Sequence, residues 1–305
     1  MKFGLNLINF GPGASAESIA ASADWAERTG FHLVMVSDHV AVTPDVAKTY
    51  PAPFYEPFTA LAWLAGRTSR VELGTTVVIL PYRHPLLLAR MVNNLDQLSN
   101  GRLILGVGVG WAQAEFAALG VPFSQRGRLS DEYLTILQTC WSHEVASAET
   151  RSVGFAEVHT APPPKRQPHP PVWVGGSSHA AIYRAARFGD AWHPLNVPLE
   201  WLARDGLPTL RRMAEECQRP TPAFAPRIRV RVTDTPLDAA ERGPGQGTLD
   251  QIRRDMEALA RLEPEYVVLD TYSGHPADLL NAEPAQRTLD VFVEKVVDLT
   301  RGSLR

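Results

Sequence analysis

Residues 71–110 read VELGTTVVILPYRHPLLLARMVNNLDQLSNGRLILGVGVG, and this stretch contains a complete strand–helix–strand unit. Two runs, 71–79 and 103–110, are rich in Val, Leu and Ile and almost continuously apolar, which is typical of strands buried on both faces of a parallel sheet. Between them, 85–99 carries a single apolar stripe, formed by Leu88, Met91, Leu95 and Leu98. A proline at the start of this segment and a glycine just past its end mark the limits of a helix.

The same alternation extends along the whole chain. Two further strands are predicted before this unit and four after it, at 3–9, 33–37, 172–174, 191–193, 228–232 and 266–270. Further helices are predicted at 16–29, 56–68, 130–141, 178–188, 199–218, 248–262 and 288–299. Eight strand–helix units favour a closed α/β (β/α)8 barrel, with an open doubly wound sheet as the alternative. The length of 305 residues fits a single barrel domain over 1–305.

Residues 142–171 interrupt this alternation. The segment contains six prolines, among them the run Pro162-Pro163-Pro164, and it is too polar and too broken for a core element. We therefore expect an insertion that runs over the mouth or the side of the barrel. Loops of this length in compact domains usually have a function. Residues 219–226 and 242–247 are also rich in Pro and Gly and are predicted to be linkers within the domain.

Charge and composition exclude several classes of function. The 30 Lys and Arg residues and 33 Asp and Glu residues give a formal net charge of −3, whereas nucleic-acid or anionic membrane surfaces demand a basic excess. No apolar run approaches the roughly 20 residues that span a bilayer, and the N-terminus is too short in apolar residues for a signal peptide. Cys140 and Cys217 cannot form a disulfide framework or a Cys-based zinc site. These features predict a reduced, soluble, cytoplasmic protein whose partner is a small molecule, with no nucleic acid or membrane.

In a barrel, the chemistry lies at the carboxyl ends of the strands. The second predicted strand ends in Ser37-Asp38-His39, and a carboxylate beside an imidazole can form a proton-transfer pair. Alternatively, Asp38 caps a loop and His39 is an ordinary surface histidine. The third strand contains Gly74-Thr75-Thr76-Val77, which indicates a bulge that turns polar groups toward the mouth, or else a strand whose hydroxyls bond to the backbone.

The fourth predicted strand carries alternate glycines. Its sequence at 105–111, LGVGVGW, resembles a dinucleotide fingerprint, but Trp111 stands where the third glycine belongs, and no suitable acidic residue follows on a later strand. We therefore reject a nicotinamide site. Glycines at 106 and 108 instead leave room for a large, flat group to approach the backbone.

Residues 172–178, VWVGGSS, lead from a strand through two glycines into a helix. This arrangement directs free amide N–H groups and the helix dipole at an anion, and a phosphate is the anion expected in a barrel. Ser177 or Ser178 also suits the helix N-cap, which is compatible with phosphate binding. The nine histidines include no pair spaced for a metal, and no serine-hydrolase elbow or Walker loop occurs, so no metal site is predicted.

Taken together, these segments resemble the luciferase-like monooxygenase superfamily, and more closely its branch of deazaflavin (coenzyme F420)-dependent oxidoreductases. The order and spacing of the motifs are specific to the superfamily and less specific to the cofactor. The matching motifs are SDH at 37–39, LGTTV at 73–77, GRL at 101–103, GVGVGW at 106–111, EFAALG at 115–120, PVWVGGS at 171–177 and AARFGDAW at 185–192.

The resemblance implies a barrel of the bacterial luciferase type, with the cofactor ring lying across the mouth. Gly175, Gly176 and Ser177 would hold the cofactor phosphate, and a bulge behind the ring would contain a non-proline cis peptide bond between Thr76 and Val77. Asp38 would contact the pyrimidine side of the ring. The predicted cofactor contacts are Asp38, Thr75, Thr76, Val77, Gly108, Gly175, Gly176 and Ser177.

The activity that the resemblance implies is hydride transfer between F420 and a small organic substrate. His39 would act as general acid or base, and Asp38 would assist by holding the cofactor geometry. Trp111 stands where some sugar-phosphate-oxidising relatives have a catalytic carboxylate, which favours an apolar, aromatic-walled substrate pocket that includes Trp111 and His193. The superfamily often dimerises, so a homodimer is expected.

Three alternatives stay open. An FMN-dependent monooxygenase of the same superfamily would use the same phosphate site and bulge but would activate oxygen. A non-catalytic flavin-binding barrel would bind the cofactor without His39-dependent turnover. A phosphate-dependent aldolase or isomerase is disfavoured because no convincing catalytic lysine follows a strand.

Overall fold

Strands and helices alternate along the chain much as the apolar runs predict. A computed structural model describes residues 1–238, 240 and 242–305. The strands are β1 (Lys2–Asn6), β2 (Leu33–Val36), β3 (Glu72–Thr75), β4 (Val78–Ile79), β5 (Leu103–Gly108), β6 (Val145–Glu149), β7 (Gly154–His159), β8 (Val172–Gly175), β9 (Ala191–His193), β10 (Ala223–Phe224), β11 (Arg227–Arg229), β12 (Arg231–Val232), β13 (Gln246–Gly247), β14 (Tyr266–Asp270), β15 (Val297–Asp298) and β16 (Ser303–Leu304).

The α-helices surround the central strands. They are α1 (Ala16–Thr29), α2 (Pro44–Ala47), α3 (Pro57–Ala65), α4 (Pro85–Leu98), α5 (Gln113–Ala118), α6 (Arg126–Ser142), α7 (His179–Phe188), α8 (Leu199–Trp201), α9 (Leu207–Glu216), α10 (Leu249–Ala260) and α11 (Glu283–Lys295). Of these, α2 and α5 are short helices that the sequence did not predict. No helix among the described residues is long and apolar enough to cross a membrane.

The central strands form a closed ring. Parallel neighbours follow the order β1, β2, β3, β5, β8 and β9, and β14 joins β11 to β1. The segment 223–229 closes the ring because it bonds on both sides: the Ala225 N–H donates to the Trp192 carbonyl, and the Val268 N–H donates to the Pro226 carbonyl. The prediction of a (β/α)8 barrel is confirmed.

The seventh strand lies earlier in the chain than predicted. It occupies 223–229, divided at Pro226, so part of the predicted linker 219–226 belongs to the barrel wall. The later part of the prediction, 231–232, pairs with β13 instead. The prolines around Ala223-Phe224 hide the strand in the sequence, because proline provides no N–H to a strand ladder and ordinarily marks a loop.

A break in the third strand sets the floor of the barrel mouth. Strand β3 ends at Thr75, β4 begins at Val78, and the peptide bond between Thr76 and Val77 is cis, as predicted. The glycines of β5 make room for this bulge. A Cβ atom at Gly106 would collide with the Thr75 carbonyl, and one at Gly108 would lie 2.6 Å from Cγ2 of Val77. The space predicted for a flat ligand at Gly106 is thus filled by the neighbouring strand.

The insertion 142–171 covers the side of the barrel. It begins with an antiparallel hairpin, β6–β7, which the sequence did not predict because little of it is buried. Its proline-rich part lies along α4, where the Asn93 and Gln97 side-chain amides donate to the Pro162 and Pro163 carbonyls at 2.9 and 2.8 Å. The Arg166 N–H donates to Asp96 of the same helix at 2.7 Å. The segment is therefore fixed to α4.

Candidate active site

A cavity of about 580 Å³ opens at the carboxyl ends of the strands. Its volume lies within the range of small-molecule sites in proteins. The loops after β2, β3, β5 and β8 bring several predicted residues to its lining, namely Asp38, His39, Thr76, Val77, Gly108, Trp111, Gly175 and Gly176. The other predicted residues, Thr75, Ser177 and His193, lie outside this lining, as described below.

His39 is held by a carboxylate from α5. Its Nδ1 atom lies 2.6 Å from Oε2 of Glu115, whose side chain has no exposed surface. The second oxygen of Glu115 accepts the Val40 and Ala41 N–H groups at 2.7 and 3.0 Å. The Tyr82 hydroxyl donates to Oε2 at 2.9 Å. Glu115, itself held by the three donors Val40, Ala41 and Tyr82, therefore fixes the orientation of the imidazole ring.

The charge of Glu115 determines which nitrogen of His39 carries the proton. Burial alone would raise the pKa of Glu115, but hydrogen bonds from His39, the Val40 amide and Tyr82 outweigh burial and lower it. An ionised carboxylate only accepts, so Nδ1 is the protonated nitrogen of neutral His39. No described residue hydrogen-bonds Nε2, and His39 lines the cavity. Nε2 is therefore the atom that can exchange a proton with a ligand.

Tyr82 remains a hydrogen-bond donor in this arrangement. Burial raises its pKa well above the ordinary value, and the negative charge of Glu115 raises it further. The phenol therefore stays protonated at neutral pH, where the carboxylate is ionised, and it stabilises the buried charge. Sequence reasoning missed both residues. Glu115 belongs to the EFAALG motif, but nothing in its spacing connects it to His39, 76 residues earlier.

Aromatic rings surround His39 near the opening of the cavity. The ring centroids of Tyr50, Phe54 and Trp111 lie 5.1, 5.5 and 5.8 Å from that of His39. Tyr50 also packs against Tyr272, with centroids 6.0 Å apart. Trp111 is half-exposed at the opening. This wall is apolar and aromatic, in the place where the sequence led us to expect it.

Asp38 has a different environment from the one predicted. Its carboxylate accepts both terminal nitrogens of Arg83, at 2.7 and 2.9 Å, and the Ile79 N–H at 2.9 Å. The side chain has no exposed surface, and Arg83 also bonds to Glu56 at 2.8 Å. The carboxylate therefore joins the ends of β2 and β4. This geometry opposes a direct catalytic or ring-contacting role for the Asp38 side chain, since its oxygens already bind protein donors.

His193 is also a structural residue, which corrects its predicted place in the substrate pocket. It is buried within the barrel, where Nδ1 donates to the Ala225 carbonyl at 2.5 Å and Nε2 accepts from the Thr76 hydroxyl at 2.9 Å. Arg227 bonds to both the Thr76 carbonyl and hydroxyl at 3.0 Å and is neutralised by Asp270 at 2.7 Å. These contacts support the bulge from below.

The threonine before the bulge faces away from the mouth. The Thr75 hydroxyl donates to the Gly106 carbonyl at 2.7 Å, and the residue is completely buried. The predicted contact between the Thr75 side chain and a cofactor is therefore not supported by the geometry. The alternative considered from the sequence, a strand hydroxyl bonded to the backbone, describes Thr75 correctly.

Burial of His193 predicts a dependence of stability on pH. Full burial lowers its pKa from 6.5 to about 4; the Ala225 hydrogen bond raises it and Arg227 lowers it further. Because the unfolded state binds a proton at higher pH than the folded state, this contribution is complete above about pH 6.5 and is lost as the pH falls toward 4. We expect the free energy of unfolding to fall by up to about 1.4 kcal/mol per pH unit in this window.

Denaturant unfolding at several pH values measures this slope. His193→Gln removes the titrating group and should flatten the curve between pH 6.5 and 4. His159→Gln, at an exposed position, should leave the slope unchanged. Equal slopes for wild type and His193→Gln would contradict the assignment.

The loop after β8 forms the expected helix entry. Helix α7 is capped by Ser178, whose hydroxyl accepts the Ala181 N–H at 3.2 Å. Gly176 has a φ of +103°, which favours glycine, and its carbonyl accepts the indole N–H of Trp192 at 2.8 Å. Of the two serines that the sequence offered as the cap, Ser178 has this role and lines the cavity, whereas Ser177 is exposed outside its lining.

Two arginines that no sequence motif indicated line the cavity together with the start of α7. Arg184 is buried and held by Asp131 at 2.6 Å and by the Gly127 carbonyl at 3.2 Å. Arg126 stacks on Phe123, and its buried Nε has no hydrogen-bond partner among the described residues. Both arginines line the cavity with Gly176 and Ser178. A helix N-terminus with two guanidinium groups favours an anion such as a phosphate.

Comparisons with known proteins agree with this architecture. Residues 1–273 match the family model described as luciferase-like monooxygenase. An uncharacterized protein of Mycobacterium tuberculosis (strain ATCC 25618 / H37Rv) is 32% identical over 237 residues, which are 69% of this chain and 82% of that protein. The oxygenase component of a flavin-dependent trigonelline monooxygenase from Acinetobacter baylyi is 30% identical over 151 residues, 49% of this chain and 40% of that protein.

The fold is also similar to that of solved structures. An F420-dependent secondary alcohol dehydrogenase, in complex with an F420-acetone adduct, has a TM-score of 0.78 and 16% sequence identity, and the alignment covers 96% of this chain and 97% of that one. At this identity the similarity concerns the fold alone. The family model extends over most of the chain, and the chain therefore belongs to the luciferase-like monooxygenase family.

Proposed function

We propose that the protein is an oxidoreductase that transfers a hydride between the deazaflavin coenzyme F420 and a small organic substrate, with His39 as general acid or base. The observation that carries the proposal is the His39–Glu115 pair, which presents one imidazole nitrogen to a cavity of small-molecule size. The family membership supports an enzyme of the oxidoreductase and monooxygenase type.

The residues around the cavity fit such a cofactor. The N-terminus of α7, with Arg126 and Arg184, would hold its phosphate, and the unpartnered Nε of Arg126 is a donor that lacks an acceptor. Val77 at the bulge would support one face of the ring. A bound deazaflavin supplies a carbon that accepts or releases a hydride.

The chain itself has to manage one proton during hydride transfer. When a hydroxyl-bearing carbon is oxidised, Nε2 of His39 takes the hydroxyl proton, and in the reverse direction it returns the proton to a carbonyl oxygen. Glu115 stabilises the imidazolium that forms and keeps Nδ1 protonated throughout. The aromatic wall excludes water and strengthens this ion pair.

An FMN-dependent monooxygenase is the second candidate. It is favoured by the similarity to the Acinetobacter baylyi oxygenase component, whose name describes a flavin-dependent enzyme. Both cofactors carry a phosphate, so the α7 site alone does not distinguish them. Titration of the purified protein with F420 and with FMN compares the two affinities directly and separates the candidates. We expect tighter binding of F420. Tighter binding of FMN than of F420 would overturn the proposal.

Arg126 provides a test of the phosphate site. Arg126→Gln should weaken F420 binding by about 10–100-fold, because a hydrogen bond to a charged group contributes about 1.5–3 kcal/mol. The phosphate-free deazaflavin chromophore should bind wild type and variant equally. Arg128→Gln is the matched control, since Arg128 lies two residues further on and pairs with Glu132. A loss of affinity for both ligands would contradict a phosphate-specific role.

A further inference from the structure

A second pocket lies beside the candidate active site, above β11 and β14. Its volume is about 780 Å³, and its lining includes the polar side chains of Arg229, Arg231, Tyr272, Ser273, Asn281 and Thr288. The motifs considered from the sequence do not include these residues, and the cofactor site described above does not require them.

Arg229 stands at the mouth of the barrel. Alternate residues of a strand point to the same side, and Arg227, two positions earlier, bonds to Asp270 and Thr76 within the barrel. The Arg229 side chain therefore leaves β11 on the same face as Arg227, which is the inner face of the barrel. Arg229 is the last residue of β11, at the carboxyl end of the strand. Its main-chain N–H donates to the side-chain oxygen of Asn196 at 2.7 Å. The guanidinium packs over Gly274, where a Cβ atom would lie only 2.9 Å from Nη2.

The guanidinium of Arg229 has no acceptor in the part of the chain that the structure describes. Its Nε is buried and makes no hydrogen bond. By contrast, Arg83, Arg184 and Arg227 each have a carboxylate partner. Leaving a buried donor of a charged group unpaired is unfavourable, so an arginine held in this way is suited to an external anion.

The acidic residues of the same pocket are already engaged or lie at its edge. Asp234 pairs with Arg287 at 3.3 Å, and Asp278 accepts the Ser273 N–H at 3.3 Å. Glu283 lies in the first turn of α11. Among the side chains that line the pocket, Arg229 is therefore positively charged and partly buried, and its Nε has no hydrogen-bond acceptor among the described residues.

We propose that Arg229 binds a carboxylate group of the substrate, so that the substrate class is an organic acid with an apolar body. This inference rests on the proposed function, because His39 marks the reacting end. Tyr272 lines the Arg229 pocket, and the ring centroids from Tyr272 to Tyr50 and from Tyr50 to His39 are 6.0 and 5.1 Å apart. The apolar body would lie against Tyr50, which lines the His39 cavity and packs on the buried Tyr272 at the edge of the Arg229 pocket.

The acidic tail of a deazaflavin is the other source of a carboxylate. That tail extends from the cofactor phosphate, which we place at the start of α7, after β8. Strand β9 separates β8 from the segment that contains β11. The position of Arg229 on the other side of β9 favours the substrate over the cofactor tail.

The test uses a carboxylate probe and its neutral counterpart, 3-phenylpropionate and 3-phenylpropionamide, in calorimetric titrations of the full chain. We expect wild type to bind the carboxylate at least about tenfold more tightly than the amide, and Arg229→Gln to abolish this preference. Arg229→Lys should retain part of it. Arg287→Gln is the matched control, because Arg287 lines the same pocket but pairs with Asp234, and it should retain the full preference.

Each outcome decides the proposal. Equal binding of both probes by wild type, or an unchanged preference in Arg229→Gln with unchanged thermal unfolding, would overturn it. Weaker F420 binding by Arg229→Gln, with probe binding unchanged, would assign the arginine to the cofactor tail instead. Failure of the proposed cofactor would show separately, as absence of F420 binding in a wild type that still prefers the carboxylate probe.

Discussion

His39→Ala is expected to lower turnover by about 10²–10⁴-fold while F420 affinity stays within about twofold of wild type. The reason is that the imidazole presents Nε2 to the cavity from the end of β2, whereas the proposed phosphate site is formed by the start of α7, after β8. Turnover is measured by the absorbance of the deazaflavin and affinity by fluorescence titration. An equal loss of both, or no loss of either, would contradict the role of His39.

Glu115→Gln tests whether the carboxylate positions His39. The glutamine oxygen can still accept the Val40 and Ala41 N–H groups, but its NH₂ group now faces Nδ1 and forces the proton onto Nε2. We expect turnover to fall by about 10²-fold or more and its pH profile to move, with the fold retained. The double variant with His39→Ala should be no slower than His39→Ala alone, because the two residues act as a unit. Additive losses would show that Glu115 acts independently of His39.

A large loss of stability, rather than of turnover, is expected when Asp38 is replaced. Asp38→Ala should lower the free energy of unfolding by about 3–5 kcal/mol, because Arg83 would remain buried without its bidentate partner. Glu56→Gln is the matched control. It removes the other, half-exposed partner of the same guanidinium and should cost about 1 kcal/mol or less.

Denaturant unfolding followed by circular dichroism measures both variants. If Asp38→Ala abolished turnover with its stability unchanged, the residue would be catalytic, as the sequence first led us to predict. A stability loss as large in Glu56→Gln would show that Arg83 depends on either carboxylate equally.

The barrel could be predicted because most of its strands are local apolar runs. Residues 103–108 and 266–270 are buried along their whole length, and that burial shows directly in the sequence as continuous hydrophobicity. The strand at 223–229 could not be placed in the same way, since prolines and arginines interrupt its short apolar run. Its membership of the barrel depends on hydrogen bonds to β9 and β14, which are tertiary contacts.

The site was predicted unevenly for a similar reason. His39 and the start of α7 follow strands, so their positions in a barrel decide where they lie. The roles of Asp38 and His193 depend on Arg83 and on the Ala225 carbonyl, which lie 45 and 32 residues further along the chain. No local pattern shows that a polar residue is already satisfied by such a distant partner. Glu115 was missed for the same reason, although its motif was recognised.

The two glycines of β5 that accommodate the Thr76–Val77 bulge have a consequence for how this scaffold can diversify. Because the Thr75 carbonyl fills the space beside Gly106 and the Val77 side chain fills the space beside Gly108, the bottom of the cavity cannot be reshaped by exchanging single residues at 106 or 108. Ligands of different size must be accommodated at the rim, where Trp111 is half-exposed and free of such interlocking. Directed evolution toward new substrates should therefore accumulate its changes around Trp111 and leave Gly106 and Gly108 untouched.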